Sequence, residues 1–256
     1  MEGNNTLKAI IIGATSGIGK EVAVRLIKMG WHVCLTGRRL EALEAVQNEY
    51  GKDKVSISRM DVTREDSLAV LDAMLDEAGA PDLFFYVSGI GFQNRDLDVG
   101  MEIDMVRTNC EGMVRLVAHF MNYVRKHSEI YSKAHKAHVA VVSSVAGTAG
   151  LGVAPAYSAT KKMQQTYISA LAQLSRIENI PADFTDIRPG FVRTPILNPD
   201  KKYPMMMTVE QAAEHILRAL RKRKRICIFD WRFKALVAFW RCIPRPLWER
   251  LTWVKN

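Results

Sequence analysis

The chain has 256 residues, 48% apolar and 25% charged, which fits one large soluble α/β domain with a buried core. Its four cysteines, Cys34, Cys110, Cys227 and Cys242, lie far apart with no C-x-x-C spacing, which argues against a metal site and for free thiols in a reducing compartment. The net charge of +9 sits in the tail: from Arg221 to Asn256 eleven Lys or Arg face only Asp230 and Glu249, so the first 220 residues are neutral.

No apolar run follows Met1, so no secretory leader is expected. Leu7 to Ile12 is a short apolar run of the kind that forms a buried parallel strand. It leads straight into Gly13-Ala14-Thr15-Ser16-Gly17-Ile18-Gly19, and Lys20 to Met29 then has helical periodicity. Between a strand and a helix, Gly-x-x-x-Gly-x-Gly points to a bound pyrophosphate: glycine admits close backbone approach, and the helix N-terminus stabilises negative charge. A tight βα turn without a ligand is the competing reading. Trp31 to Thr36 predicts a second strand ending in Gly37-Arg38-Arg39. An NAD site usually has an acidic residue near this strand end, whereas arginine suits a 2′-phosphate through paired charge-assisted bonds. NADP(H) is therefore the expected cofactor, against the plainer reading that both arginines start the next helix on its solvated side.

Leu40 to Tyr50 reads as an amphipathic helix, Val55 to Met60 as a third strand followed by Asp61-Val62, and Arg64 to Glu77 as a helix. Asp82 to Val87 predicts a fourth strand ending at Ser88-Gly89, and the alternation implies a parallel sheet with helices on both faces. Gly100 to Lys126 supplies one or two helices, with Cys110, Met113, Val114, Val117, Met121 and Val124 in a stripe expected to face the core, or else another subunit. Ala137 to Thr160 is the longest run without Asp, Glu, Lys or Arg, but its Ser, Thr, Gly and Pro content is wrong for a membrane span. Within it His138 to Val142 predicts the fifth strand, delivering Ser143-Ser144, and Pro155 opens a helix that carries Tyr157 and Lys161.

A tyrosine and a lysine four apart share one helix face, where the ammonium can lower the phenol's pKa. A serine hydroxyl placed opposite could hold a carbonyl oxygen while the phenol donates its proton, which is the acid half of a ketone reduction. Such a pair also occurs as an ordinary surface contact. What lifts it above coincidence is placement, because the glycine loop, Asp61, Gly89 and Ser144 all lie at the carboxyl ends of strands, where open α/β sheets bind ligands.

Ala182 to Ile187 predicts a sixth strand, ending in Arg188-Pro189-Gly190-Phe191-Val192-Arg193-Thr194. Pro195 to Met207, with three prolines and Met205-Met206-Met207, fits neither period and is expected to be an adaptable lid. Thr208-x-x-Gln211 predicts a capping box for a helix from Val209 to Leu220. Five consecutive basic residues, Arg221 to Arg225, precede a last short strand, Ile226 to Phe229. No linker, repeat or second domain is visible. The expectation is a Rossmann-type doubly wound parallel sheet of about seven strands over residues 1–230, with a basic, apolar helical extension over 231–256.

In combination these residues resemble the short-chain dehydrogenase/reductase family across roughly residues 7 to 230. The resemblance rests on Gly13-x-x-x-Gly17-Ile18-Gly19, Asp61-Val62, Asn109 in Asn-Cys-Glu-Gly, Ser144, Tyr157-x-x-x-Lys161 and Pro189-Gly190-x-Val192-x-Thr194. Ser144 is preferred over Ser143 because it stands thirteen positions before the tyrosine. The resemblance implies an NADP(H)-dependent oxidoreductase acting on CH–OH/C=O, with no metal. It makes Tyr157 the general acid in reduction and the base in oxidation, while Lys161 lowers its pKa and binds the nicotinamide ribose. Ser144 would orient the carbonyl, and Asn109 would hold a relay water behind the lysine. The cofactor would lie along Gly13, Thr15, Ser16, Gly17, Ile18, Gly19, Arg38, Arg39 and Gly89. Asp61 and Val62 would meet the adenine, and Pro189, Gly190, Val192 and Thr194 the carboxamide. Two departures stand out: Tyr86-Val87-Ser88-Gly89 replaces the family's Asn-Asn-Ala-Gly, and Ile12 replaces a threonine before the glycine loop.

In the tail, Trp231 to Cys242 is apolar around most of a helix, with Lys234 and Arg241 on a narrow strip and Arg232 across from it. Pro244 and Pro246 break the chain before Leu247-Trp248-Glu249-Arg250-Leu251-Thr252-Trp253. Tryptophan, apolar bulk and basic charge without a span-length run suit a segment lying in a membrane interface; packing over the pocket or against another subunit is the alternative. Lid and tail together point to a lipophilic ketone or alcohol, such as a long-chain 3-keto lipid base, a steroid or a polyprenyl-linked keto-sugar. Two other readings stay open: a ketoacyl thioester reductase whose basic tail docks an acidic carrier protein, and a cofactor-sensing binding protein without catalysis. Nucleic acid is not expected, since no aromatic platform accompanies Arg221 to Arg225. A cytoplasmic homodimer or homotetramer, peripheral on the inner face of a membrane through 221–256, completes the expectation.

Overall fold

A computed structural model describes residues 6–197 and 203–252. Its strands are β1 (Lys8–Ile12), β2 (His32–Gly37), β3 (Val55–Arg59), β4 (Leu83–Tyr86), β5 (Ala137–Val142), β6 (Ala182–Ile187) and β7 (Ile226–Cys227). They form one seven-stranded sheet in the order β3-β2-β1-β4-β5-β6-β7, every pairing parallel. Strand order reverses between β1 and β4, which opens a crevice at their carboxyl ends.

The helices are α1 (Gly17–Lys28), α2 (Leu40–Tyr50), α3 (Ser67–Ala78), α4 (Val99–Val106), α5 (Gly112–Lys126), α6 (Pro155–Ile177), α7 (Val209–Arg221), α8 (Trp231–Cys242) and the short α9 (Arg245–Trp248). Alternation along β1 shows how the two layers are made. Ile11 packs with Val22, Leu43 and Ile216 from α1, α2 and α7, whereas Ile10 and Ile12 pack with Leu71, Met113 and Ile168 from α3, α5 and α6. Both faces are covered, so the strand is apolar at successive positions and not at every second one.

Gly100 to Lys126 resolves into two α-helical pieces joined by a five-residue π turn, Arg107–Glu111. The predicted stripe belongs to the core: Met113, Val117, Met121 and Val124 are buried, with Cys110 and Val114 half-buried. Some boundaries move. The helix expected from Arg64 starts at Ser67, because Thr63 donates backbone and hydroxyl bonds to Asp61 Oδ1 and holds the chain in a turn first. The last strand stops at Cys227, and Phe229 turns into the core. The predicted capping box is present, with Gln211 N donating to Thr208 Oγ1 (3.3 Å) and Thr208 N to Gln211 Oε1 (3.0 Å).

The tail folds back on the body. Phe233 and Val237 of α8 are buried against Val145, beside Phe191 and Met205, and Trp248 Nε1 donates to Gly150 O at 2.7 Å. No helix among the described residues is long and apolar enough to cross a membrane. Of the expected lid, residues 198–202 lie outside the described residues, as does Trp253 of the tail; Met207 is pinned by a parallel bridge to Val192.

Candidate active site

A cavity of about 430 Å³ occupies the β1/β4 crevice. Its floor is the loop after β1, where Gly13 has φ +102° and a Cβ would lie 2.7 Å from Ser88 N. A Cβ on Gly19 would meet Gly13 O at 2.1 Å, so α1 can start this close to the loop only with glycine there. Ser16 caps α1 without a side-chain bond, and no acidic residue occupies the first turn. The free amides and positive end of α1 therefore remain available to an anion, which fits a dinucleotide pyrophosphate.

Arg38 and Arg39 line the same cleft, and Arg39 donates to Thr15 Oγ1 at 3.0 Å. Burial alone would raise the Asp61 carboxyl, but the two bonds from Thr63, with Arg38 and Arg64 nearby, outweigh it and hold the group below its ordinary value. Arg115 donates to Val62 O at 3.0 Å from α5 and fixes that corner. From Gly13 to Thr194, every residue nominated from the sequence for the cofactor lines this one cleft.

At the inner end stand Ser143 and Ser144. Ser143 donates to Asp186 Oδ1 at 2.5 Å, and Asp186 is paired with the buried Arg188 at 2.6 Å, so that hydroxyl is committed to structure. The Ser144 hydroxyl accepts from Ala146 N at 3.1 Å, donates to Pro189 O at 3.4 Å and lies beside the Tyr157 phenol. Geometry thus favours Ser144, as the spacing did. Tyr157 rests against Gly91, where a Cβ would come within 2.6 Å of the ring. Its helix begins under a carboxylate from α4: Glu102 Oε2 accepts from Ala156 N (2.9 Å) while Oε1 accepts from Asn94 Nδ2 (2.8 Å).

Lys161 and Asn109 are the other two residues nominated for catalysis. Burial raises the Tyr157 phenol above its ordinary value, opposed by the Ser144 hydroxyl. The Lys161 ammonium stands 5.7 Å from the ring centroid and donates to Val142 O (3.2 Å) and Gln164 Oε1 (3.0 Å). Burial brings Lys161 down to about 8, against the raising influence of Cys110 and Asp186. Asn109 is buried behind it. Its main-chain carbonyl accepts from Gln164 Nε2 at 2.8 Å, while its side chain accepts from Ile90 N (2.9 Å) and donates to Ile90 O (2.8 Å) and Thr160 Oγ1 (3.1 Å). A phenol held protonated beside a serine hydroxyl can deliver a proton to a carbonyl oxygen.

A second cavity, about 570 Å³, adjoins the first and shares Ser144, Tyr157, Gly91 and Gly190 with it. Its other walls are mostly apolar, with Phe92, Met101, Val153, Phe191 and Met205 beside Gln93 and Tyr203, and its roof is Phe233, Leu236 and Trp240 of α8. The roof is seated closely, since a Cβ on Gly190 would fall 2.2 Å from the Phe233 ring. The indole N–H of Trp240 is buried with no hydrogen-bond partner among the described residues. Of the two readings of the tail, the inner face of α8 takes the pocket-covering one. The outer face leaves Trp231 76% and Phe239 60% exposed, among the exposed Arg232, Lys234 and Arg241.

Sequence reasoning missed Gln164, Glu102 and most of the apolar walls. Gln164 and its neighbour Gln165, which donates to Ser144 O at 2.7 Å, are fully polar residues on a buried helix face one turn beyond Lys161; that anomaly was a usable signal. Phe92 and Val153 come from loops without a period and carried none.

A sequence profile of the family described as short chain dehydrogenase matches residues 7–203. An uncharacterized oxidoreductase of Myxococcus xanthus is 27% identical over 248 residues, covering 94% of each chain. Dehydrogenase/reductase SDR family member 7B of Xenopus laevis is 29% identical over 240 residues, covering 84% of this chain and 71% of that one. Among solved structures, ElxO with NADP bound superposes with a TM-score of 0.77 at 19% identity, over 90% of this chain and 99% of the other.

Proposed function

The chain belongs to the short chain dehydrogenase family, and from that premise we propose that it is an NADP(H)-dependent oxidoreductase that reduces a lipophilic ketone or oxidises the matching secondary alcohol. The observation that carries the reading is the shared wall: Tyr157 and Ser144 belong at once to a glycine-floored anion cleft and to an apolar cavity. The α1 amides and Gly13 to Gly19 would hold the pyrophosphate, and Lys161 the nicotinamide ribose. The cofactor supplies the hydride when bound. Ser144 orients the carbonyl oxygen, and Tyr157 donates the phenolic proton to it. In oxidation the same oxygen takes the proton back.

For the 2′-phosphate, support comes from Arg38 and Arg39 at the cleft, and from a solved neighbour described with NADP bound. Arg38→Ala is expected to raise the KM for NADPH by about tenfold or more and leave that for NADH nearly unchanged, since charge-assisted bonds of this kind are each worth about 1.5–3 kcal/mol. Steady-state rates with both cofactors check it, and equal losses with both would remove Arg38 from the phosphate.

An apolar cavity roofed by an aromatic helix supports a substrate with a large hydrocarbon part. The unpaired Trp240 N–H suits one polar group on it. NADPH oxidation over long-chain 3-keto lipid bases, steroids, polyprenyl-linked keto-sugars and ketoacyl thioesters tests the class. Turnover is expected with the free lipophilic ketones; turnover with carrier-bound thioesters alone would turn the reading to the ketoacyl reductase, and turnover with none of them to a binding protein.

A further inference from the structure

Helix α8 is apolar around most of its circumference, yet only one side of it is covered. At about 100° per residue, Phe233, Leu236, Val237 and Trp240 fall on the side that meets Val145 and the apolar cavity. Trp231, Ala235, Ala238, Phe239 and Cys242 fall on the other, and all of them are exposed, Trp231 by 76% and Phe239 by 60%. A helix that is apolar all round belongs in apolar surroundings on every side. Lys234 and Arg241 border the open strip along one flank and Arg232 along the other. Arg232 is paired with Asp230, whereas Lys234 and Arg241 make no ion pair among the described residues. The fold also divides the basic tail in two. Arg223 donates to Lys136 O and Asp183 and Arg225 to Ile168 O, which ties residues 221–225 toward the amino ends of β5 and β6. Helix α8 instead leaves the carboxyl end of β7 and packs on Val145 and Gly190 beyond the other ends of those strands. The face of α8 therefore carries its own basic residues and not that run.

We propose that the outer face of α8 docks on an anionic lipid surface, with the apolar strip in the headgroup layer and Lys234 and Arg241 meeting lipid phosphates. Charge decides the occupant. A second copy of the chain, joined by a two-fold axis, would set the same basic flanks against each other. An anionic surface accepts both parts of the face: tryptophan and phenylalanine suit the boundary between headgroups and hydrocarbon, and basic side chains at its flanks lay their stems on apolar surface while their charges reach outward. From the oxidoreductase reading the proposal takes only the lipophilic substrate, which such a surface would hold beside the roof of the cavity. The docking face itself stands without it.

The test uses the full chain with vesicles of phosphatidylcholine, alone or mixed with phosphatidylserine. Binding is expected to the mixed vesicles and to weaken as salt is added. Lys234→Ala combined with Arg241→Ala is expected to lower the affinity by about 25-fold at low salt, about fivefold for each basic residue lost. Trp231→Ser and Phe239→Ser are each expected to lower it by about tenfold or more. None of these side chains belongs to the roof or to the Tyr157 site, so NADPH binding and turnover of a water-soluble ketone should stay near wild type, while turnover of a ketone dissolved in the vesicles falls in step with binding. Wild-type protein that ignores the mixed vesicles overturns the proposal, as does binding that phosphatidylserine does not strengthen or that these substitutions leave unchanged. A wild-type dimer that Phe239→Ser dissociates, with no vesicle binding, would give the face to a second copy and overturn it too. Vesicle binding abolished by these substitutions, in a protein that turns over no ketone, would keep the docking face and reject the oxidoreductase reading. Full turnover without vesicle binding would do the reverse.

Discussion

Tyr157→Phe is expected to lower ketone reduction by roughly 10²–10⁴-fold, the range that a positioned general acid contributes. The effect should fall on kcat. The ring keeps its seat against Gly91, the Ser144 hydroxyl keeps its bond from Ala146 N, and Lys161 keeps both acceptors, none of which involves the phenolic oxygen. NADPH binding, followed by fluorescence, should therefore change little, which separates a missing proton from a damaged cleft. The pH dependence has a definite sign. Burial favours the neutral phenol, so reduction should hold across neutral pH and fall as the pH rises through the tyrosine's raised pKa. Retained NADPH-dependent reduction in the phenylalanine variant would dismiss Tyr157 as the acid.

Truncation after Phe229 should produce the second large loss. It removes Phe233, Leu236 and Trp240, the roof of the apolar cavity, and opens the Tyr157 face to water. The main body should still fold, because the cluster of Phe233, Val237 and Val145 is separate from the two cores that clamp the sheet. Burial of side chains such as Phe233 and Val237 is worth about 1.5–3 kcal/mol each, so a lowered Tm is expected as well. For a lipophilic ketone, kcat/KM should fall by at least about tenfold, since one methylene of pocket contact is already worth about 1–3 kcal/mol. NADPH affinity should fall much less. The same truncation addresses the outer face of α8, where exposed Trp231 and Phe239 lie among basic residues. That face suits an anionic lipid surface. The full chain is expected to sediment with vesicles containing phosphatidylserine at low salt and the truncated chain to stay in the supernatant. Equal behaviour of the two chains would take the tail out of that role and leave it only the roof.

The parallel sheet was legible because β1, β4 and most of β5 are apolar at successive positions and helical periods separate the strands, although β3 and β6 carry polar residues. The cofactor cleft was legible for the same reason: Gly13, Arg38, Asp61, Gly89 and Thr194 each follow a strand at one sheet edge. Less of the proton chemistry could be read. Tyr157 and Lys161 share a helix face in the sequence, yet the direction of the Lys161 ammonium is set by Val142 and Gln164, and no spacing rule links residue 142 to residue 161. The Asn109 carbonyl was similarly out of reach, since its partner comes from another helix and the π turn that presents it has no sequence period of its own. The walls of the apolar cavity come from loops and from a tail whose amphipathic pattern fits a protein surface and a lipid surface alike.

That π turn makes the long helical stretch from Val99 to Lys126 one residue out of phase with itself. Each residue added to or taken from a helix rotates everything beyond it by about 100°. Were one position lost between Arg107 and Glu111, the stretch could wind as a single regular helix, and something would have to turn. Met113, Val117 and Met121 anchor its second half in the core, so the rotation would fall on the first half. Asn109 would swing away from Ile90 and Thr160, and Glu102 from the start of α6. A change in length at this one place, with no change in the Tyr-x-x-x-Lys pair itself, would leave a well-packed nucleotide-binding scaffold without the buttresses of its acid.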